Sequence, residues 1–509
     1  MFQLLPDVAF QAKALAALLA LVLAGSAVRA KLLKGNPRLP LPPGPPGHWL
    51  LGNALPRVNQ SQQFAAWINQ YGPVISLRIG PKIMIIIGRY RESVDIMEKE
   101  GGALADRPRS VAAGEILSRG LRMILAPAGE QFRRLRRVAH THLQAKAVES
   151  YGPIQIQAAR DVILDILNDP KRHQAHANRY AASVILRVTY GKSARTATDA
   201  PEIVTIHKML KRFQMLMRPG AMLVEQYPIL KYVPFYASSI ETWRQEESEL
   251  FHDQLGRVAR ELGMGEAGPS FGRYLLENQN THKLSYEEMA YLAGSLFGAG
   301  SDTTAVAIMV VVMAAACHPE AQDIVQDELD NIIGRDRAPT FDDYDALPQI
   351  QAFMLECLRW RPVTTLGFAH RSTADIPYKD FCIPKGAIVF GNHWAISRDP
   401  EVYPDPDKFD PQRWFGSDGG VRDDLKFPSF GFGRRICPGQ HIANRSIFIN
   451  TALLLWSFRI TQDPNSPIDD TGFVDGVIAH PKPFDACFSP RIADEAHLRE
   501  VMAKYAEGL

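Results

Sequence analysis

Between Ser285 and Cys317 the chain runs for about 32 residues with no proline and, beyond the first turn, with Asp302 as its one charged side chain. Ser285-Tyr-Glu-Glu288 is a capping-box sequence that opens a helix, and Pro319 stands just past the other end. At 1.5 Å per residue such a helix spans about 48 Å, the width of a whole domain. Its apolar residues occur on every side, which predicts a buried central helix rather than a surface one. A chain built around it must supply apolar partners all round. The sequence does so: Pro319 restarts a helix through Ile333, and another runs from about Ile350 to Trp360, where Arg361-Pro362 stops it. Ile75 to Gly88 alternates in the manner of a β-hairpin turning at Gly80-Pro81. From Phe368 onward the pattern reads as short strands and loops, with prolines crowding 400–411. The fold class is mainly α with a smaller β portion.

The 509 residues suit one large catalytic body or two to three units. A formal net charge of +2 is too small to indicate nucleic acid or any other polyanion as partner. The five cysteines, at 317, 357, 382, 437 and 487, are odd in number, widely spaced and without a Cys-x-x-Cys pair. That spacing excludes a disulfide framework or structural zinc site and fits a reducing compartment.

Ala14 to Val28 is uncharged, and extension back to Val8 gives enough length to cross a bilayer if Lys13 snorkels to the interface. Arg29, Lys31, Lys34 and Arg38 follow, so the positive-inside rule places the rest of the chain in the cytosol. A cleaved signal peptide competes with this reading, but Asp7 precedes the apolar run and Lys13 is the only early base. The expected division is a transmembrane anchor over 1–30, a basic and Pro/Gly-rich linker over 31–47, and one catalytic domain over 48–509. The prolines from Pro40 to Pro46 make the linker stiff and extended.

Phe430-Gly-Phe-Gly433-Arg-Arg435-Ile-Cys437-Pro-Gly439 carries the strongest chemical signal. A metal-bound thiolate needs shielding from water and support from backbone N–H groups, and the glycines allow the backbone to fold tightly about the sulfur. Phe430 can cover one face, and Arg435 can pair with a carboxylate. The loop matches Phe-x-x-Gly-x-Arg-x-Cys-x-Gly, so the chain resembles the cytochrome P-450 superfamily over nearly all of residues 40–490. The resemblance implies a haem (heme) cofactor with Cys437 as the axial thiolate on iron.

Other motifs take their meaning from that resemblance. Glu356 and Arg359 share a helix face and, with Arg413 of Phe409-Asp-Pro-Gln-Arg413-Trp, correspond to the family's structural brace; Gln412 replaces its more usual glutamate. Ala299-Gly-Ser-Asp302-Thr303-Thr304 breaks local helix preferences, as functional sites do. Here Asp302 and Thr303 are the implied proton-delivering acid and alcohol, while Gly298, Ala299 and Gly300 are expected to let a flat macrocycle approach the helix. The bland alternative is a Ser/Thr patch bonding back to carbonyls. Arg136 is the implied propionate partner on the helix Gly129–Arg137, where Phe132 stands at the family's tryptophan position and lacks its N–H. His370 is a further implied propionate contact. Arg133, Arg134 and Arg137 read either as a solvated face or as a docking patch for an acidic electron donor.

The implied activity is a monooxygenase that inserts one oxygen atom of dioxygen into a lipophilic small molecule. The chain resembles no flavin or nicotinamide domain, so a separate NADPH-dependent flavoprotein reductase must supply electrons. The expected setting is a monomer anchored by a single span in the endoplasmic reticulum membrane, with its catalytic domain in the cytosol. The rivals are a haem-thiolate isomerase or dehydratase, which needs no proton relay, and a non-enzymatic haem sensor, which needs no acid–alcohol pair. Expected lining segments are 106–125, 210–236, Leu292–Ala299, Val363–Phe368 and Phe473–Val477, with Met215, Met217, Phe297 and Phe368. Their apolar character and the segment Tyr227–Pro234 resemble fungal enzymes of secondary metabolism and point to a terpenoid or polyketide.

Overall fold

The computed structural model describes residues 39–192, 200–474, 476–492 and 494–505. The expected anchor and the basic part of the linker lie outside the described residues. Ten helices and ten strands suffice to place the site. They are β1 (Val74–Ile79), β2 (Lys82–Ile87), β3 (His370–Arg371), β4 (Ile376–Tyr378), β5 (Phe381–Ile383), β6 (Ile388–Gly391), β7 (Phe458–Gln462), β8 (Phe473–Val474), β9 (His480–Pro481) and β10 (Ala486–Pro490). The helices are α1 (Gln60–Tyr71), α2 (Glu130–Leu143), α3 (Gly152–Asn168), α4 (His173–Tyr190), α5 (Pro201–Met217), α6 (Ser238–Gly263), α7 (Tyr286–Cys317), α8 (Pro319–Ile332), α9 (Pro348–Trp360) and α10 (Gln440–Ser457).

The long apolar run forms α7, and its capping box is complete. Ser285 Oγ accepts the Glu288 N–H, and Glu288 Oε2 accepts the Ser285 N–H. Two orphan donors at the helix start are thereby satisfied. The helix is long and apolar enough to cross a membrane, yet most of its surface is covered by protein, packing on α4, α6, α10 and β7. Gly294 lets α6 approach, since a Cβ there would lie 2.3 Å from the Phe251 ring.

The hairpin forms where expected, with Ile79 opposite Lys82 and Gly80 at φ +56°. Strand β6 adds in parallel to β2, and β3 pairs antiparallel with β6, giving the order β1-β2-β6-β3. The proline segment is docked on this sheet rather than standing away from it. Ser76 donates its N–H to the Pro43 carbonyl and its hydroxyl to that of Pro42, while the Cys382 N–H reaches Pro40. A side chain at Gly44 would collide with the Ser76 carbonyl at 2.1 Å.

One expectation needs correction. The chain beyond Phe368 is not all short strands and loops, because α10 is a full helix almost wholly buried against α3, α7 and α9. Its apolar residues surround the axis, so no stripe of period 3.6 marks it.

Helix α9 carries the Glu356–Arg359 pair, and both side chains are fully buried. Arg359 Nε and Nη2 donate to the two Glu356 oxygens at 2.8 and 2.6 Å. The same carboxylate accepts from Arg413 Nε at 3.1 Å, Trp414 Nε1 at 2.9 Å and the Asp410 N–H at 2.9 Å. Arg359 Nη1 goes on to the carbonyls of Ser397 and Pro406. The brace thus ties α9 to the segment 397–414. Glu356→Gln leaves two guanidinium groups facing a neutral amide, and the expected cost is about 3–5 kcal/mol. Denaturant unfolding followed by circular dichroism measures it, and Glu356→Asp, which keeps the charge but shortens the reach, should fall between the two.

Candidate active site

Cys437 sits in the turn between a short helical segment (Gly433–Arg435) and α10. Its N–H donates to the Phe430 carbonyl at 2.8 Å, and the Gly439 N–H points at the sulfur. Gly431 and Gly433 both have positive φ, and a Cβ at Gly433 would lie 2.9 Å from the Met97 carbonyl. Burial pushes the free thiol up, while the Gly439 N–H and the Arg136 charge favour the thiolate. Phe430 contributes its carbonyl to the turn. The fully packed aromatic ring of the loop is Phe432, which lies against His393 and over Gly391.

Arg435 is buried. Nε donates to the Ala105 carbonyl at 2.6 Å and Nη2 to that of Ala126 at 2.7 Å, while Nη1 is buried without a partner. Its guanidinium lies 3.4 Å from the centroid of the Phe132 ring. The phenylalanine in the family's tryptophan position therefore serves as a cation–π platform for the arginine. Arg136, on α2, faces both Cys437 and Arg435.

Arg107, which sequence reasoning missed, completes the cluster. It donates to the carbonyls of Ile124, Phe368 and Ala369. Burial and then the Arg435 charge lower its pKa to about 9, and burial lowers that of Arg435 to about 10. His370 donates its Nδ1–H to the Leu104 carbonyl at 2.7 Å, and burial with the Arg107 charge pushes its pKa down to about 3. The carboxylate acting on these arginines, Asp106, is already engaged by Arg371 and the Ala128 N–H. Three guanidinium groups and an imidazole thus surround a region with one committed carboxylate. Such an excess of buried positive charge with an open N–H calls for an anionic group. A tetrapyrrole bearing carboxylates, with its metal on Cys437, fits these residues.

On α7 the Ala299–Thr304 stretch divides into faces. Ala299 is exposed and Thr303 partly so, one turn apart; Thr303 Oγ1 donates to the Ala299 carbonyl at 2.9 Å. Ser301 likewise bonds back to Phe297. Asp302 points elsewhere: Oδ1 is 2.7 Å from His480 Nε2, and Oδ2 accepts from Gln214 Nε2 at 3.3 Å. His480 is 178 positions away in the chain, so no local pattern could have found it. The expected role of Gly300 is corrected here. A Cβ at Gly300 would meet Ile185 at 2.6 Å, so that glycine serves helix packing; Gly298 faces Leu210 at an ordinary contact distance of 3.4 Å, and Ala299 stays open.

A small cleft of about 70 Å³ opens beside Phe368. Met217–Pro219, Thr365–Phe368 and Gly476–Val477, from three of the five expected segments, line it, joined by Gln60, Ser61, Ala369 and Phe390; the segments 106–125 and Leu292–Ala299 do not. Phe297 does not line it but packs edge-on against Tyr190 in the core. Met215 is on the outer surface. The segments 106–125 and 219–236 are latched together. Glu225 caps the N–H groups of Val111 and Ala112, and Lys231 and Arg109 share Glu115, which they hold down at about 2. Of the three exterior arginines, Arg134 is taken by Glu288, while Arg133 and Arg137 are exposed.

The cytochrome P450 family model matches residues 42–488. Cytochrome P450 monooxygenase 64 of Postia placenta is 52% identical, covering 89% of this chain and 92% of that protein. Cytochrome P450 monooxygenase 113 of the same fungus is 50% identical over 92% of this chain and 96% of that protein. A cytochrome P450 monooxygenase of Armillaria gallica is 35% identical, covering 91% and 94%. For the packing role of Gly300, Gly300→Ala should destabilise the protein by about 1–3 kcal/mol through overpacking. In an Ile185→Ala background, itself destabilised by its own cavity, the same Gly300→Ala change should cost less in the same unfolding assay.

Proposed function

The chain belongs to the cytochrome P450 family, and from that premise we propose that Cys437 is the axial thiolate of its haem and that Asp302 and Thr303 serve its proton supply. Monooxygenase activity and a cysteine-ligated haem come with the family. When bound, the haem supplies activation of dioxygen for insertion of one oxygen atom, the thiolate favouring cleavage of the O–O bond.

The observation that carries the reading is the unbalanced buried charge beside Cys437. Arg435, with its open Nη1, together with Arg107 and Arg136, would hold the two propionates, and His370 would join them once their charge brings a proton to its Nε2. Cys437 is kept in place by the Phe430 carbonyl, and the Gly439 N–H and Arg136 lower the cost of negative charge on the sulfur. Gly433 gives the loop its approach to the Met97 carbonyl. Thr303 spends its hydroxyl proton on Ala299 and keeps its lone pairs free to accept from water. Asp302, one position before it, is the acid that replaces each proton consumed.

The substrate is a lipophilic small molecule, a terpenoid or polyketide of fungal secondary metabolism. Met217, Leu366, Phe368, Phe390 and Val477 make the cleft mostly apolar, while Gln60 and Ser61 offer a few polar contacts. Electrons come from a membrane-bound NADPH-dependent flavoprotein reductase, for which Arg133 and Arg137 present an exposed basic edge. The protein works as a monomer with one span in the endoplasmic reticulum membrane and its body in the cytosol. An exposed apolar face supports membrane contact. Trp49 and Leu51 lie beside the β1–β2 turn, from which Lys82 reaches the Glu225 carbonyl, and Ile229, Tyr232 and Phe235 are at least 74% exposed.

In microsomes the reduced carbon monoxide complex should show the red-shifted thiolate band, and Cys437→Ser should lose it; its absence from the wild type would sink the assignment. Oxidation of lipophilic compounds should require both NADPH and reductase. A chain starting at residue 39 should still float with phospholipid vesicles, and Ile229→Asp with Phe235→Asp should leave it in the aqueous fraction.

A further inference from the structure

Asp302 is the buried end of a polar connection that reaches solvent through His480. The carboxylate residue is 6% exposed, whereas the His480 side chain, on β9, is 32% exposed. His480 Nε2 lies 2.7 Å from Asp302 Oδ1, and the ring also bonds to the Ile478 carbonyl. Both partners are acceptors, so the ring is fully satisfied only when both nitrogens carry hydrogen. The arrangement favours the imidazolium. Burial opposes that charge, but the hydrogen bond and charge of Asp302 outweigh it, and His480 titrates above the ordinary histidine range.

The surrounding groups leave Asp302 as the main determinant. From α5, Lys211 faces the pair and opposes positive charge, His207 lies beside it, and Gln214 donates to the second carboxylate oxygen. His207 itself is held neutral by burial and bonds to Ser301 on α7. From α4, the uncharged Gln174 reaches the carbonyl of Lys482.

We propose that His480 is the outer station of the proton path: it holds the Asp302 carboxylate toward solvent and reloads it with a proton. The Nε2 proton passes to Asp302 Oδ1, leaving a neutral ring that keeps its Nδ1 hydrogen on Ile478. The protonated Asp302, no longer bound by charge, turns inward and gives that proton to water at Thr303. With Asp302 turned away, Nε2 takes a proton from solvent, and the returning carboxylate restores the pair. One proton enters and one is delivered per cycle. His480 acts through Asp302 and is a positioning residue. The inference rests on the acid–alcohol reading of Asp302 and Thr303.

The test compares wild type, His480→Gln and Asp302→Asn as full-length holoenzyme with reductase. Glutamine keeps an N–H for Oδ1 and pins the hairpin equally well, but it does not titrate. In the wild type, product formed per NADPH consumed should fall as pH rises through the His480 pKa, because the neutral ring has no proton to pass on. In His480→Gln that ratio should be on the order of tenfold lower and flat with pH, with the carbon monoxide spectrum and thermal midpoint unchanged. Independently of turnover, the histidine ¹³C resonance that disappears in His480→Gln should titrate at lower pH in Asp302→Asn. A His480→Gln enzyme with wild-type coupling and pH profile overturns the proposal, as does a His480 resonance indifferent to Asp302→Asn. If Asp302→Asn itself couples normally, the acid–alcohol reading falls and His480 falls with it; if only Asp302→Asn is impaired, this inference alone is lost.

Discussion

The Glu356 carboxylate is fully buried, and burying an ion is tolerable only when its lone pairs are all met. Arg359, Arg413, Trp414 and the Asp410 N–H meet them, drawn from a helix and from a loop more than fifty positions later. Arg359 spends its remaining donors on carbonyls of that loop. The brace therefore organises a segment with little regular structure of its own. Tyr403, Trp414, Leu425, Phe427 and Phe432 then form one apolar cluster with Ala352 of α9, and that cluster carries the chain into the cysteine turn. A charge pair fixes the loop, and the loop fixes Cys437.

Two electrostatic settings follow on opposite sides of the site. Near Cys437 the structure concentrates arginines without matching carboxylates, a condition that an anionic cofactor relieves. At Asp302 the reverse holds: a carboxylate is matched by an imidazole and an amide and turned away from Thr303. Both settings depend on α7, whose buried length sets where Ala299, Asp302 and Thr303 face. Packing of Gly300 on Ile185 and Gly294 on Phe251 brings the neighbouring helices close enough to hold it there.

The legible parts of the sequence were those with a local physical signature. The capping box before α7, the Gly80-Pro81 turn and the stop at Arg361-Pro362 each depend on neighbouring residues alone. Helix α10 escaped because a helix apolar on all sides has no period to detect. Gly300 reads as an opening for a cofactor, but its neighbour Ile185 on α4 decides what it permits. Phe132 seemed a loss of one hydrogen-bond donor; its ring under Arg435 is a contact between residues some three hundred positions apart.

From the sequence alone came the mainly helical body, the cysteine loop, the bracing pair and the Asp302-Thr303 motif proposed as an acid–alcohol pair, because each is a fixed spacing of chemically distinctive residues. Tertiary structure alone decided that Arg107 joins Arg435 and Arg136, that the proline segment docks on the sheet, and that Asp302 faces His480. The reason is physical. A motif records what neighbouring residues must be, whereas the field at a buried group is set by whatever distant charges and dipoles the packing brings within a few ångströms.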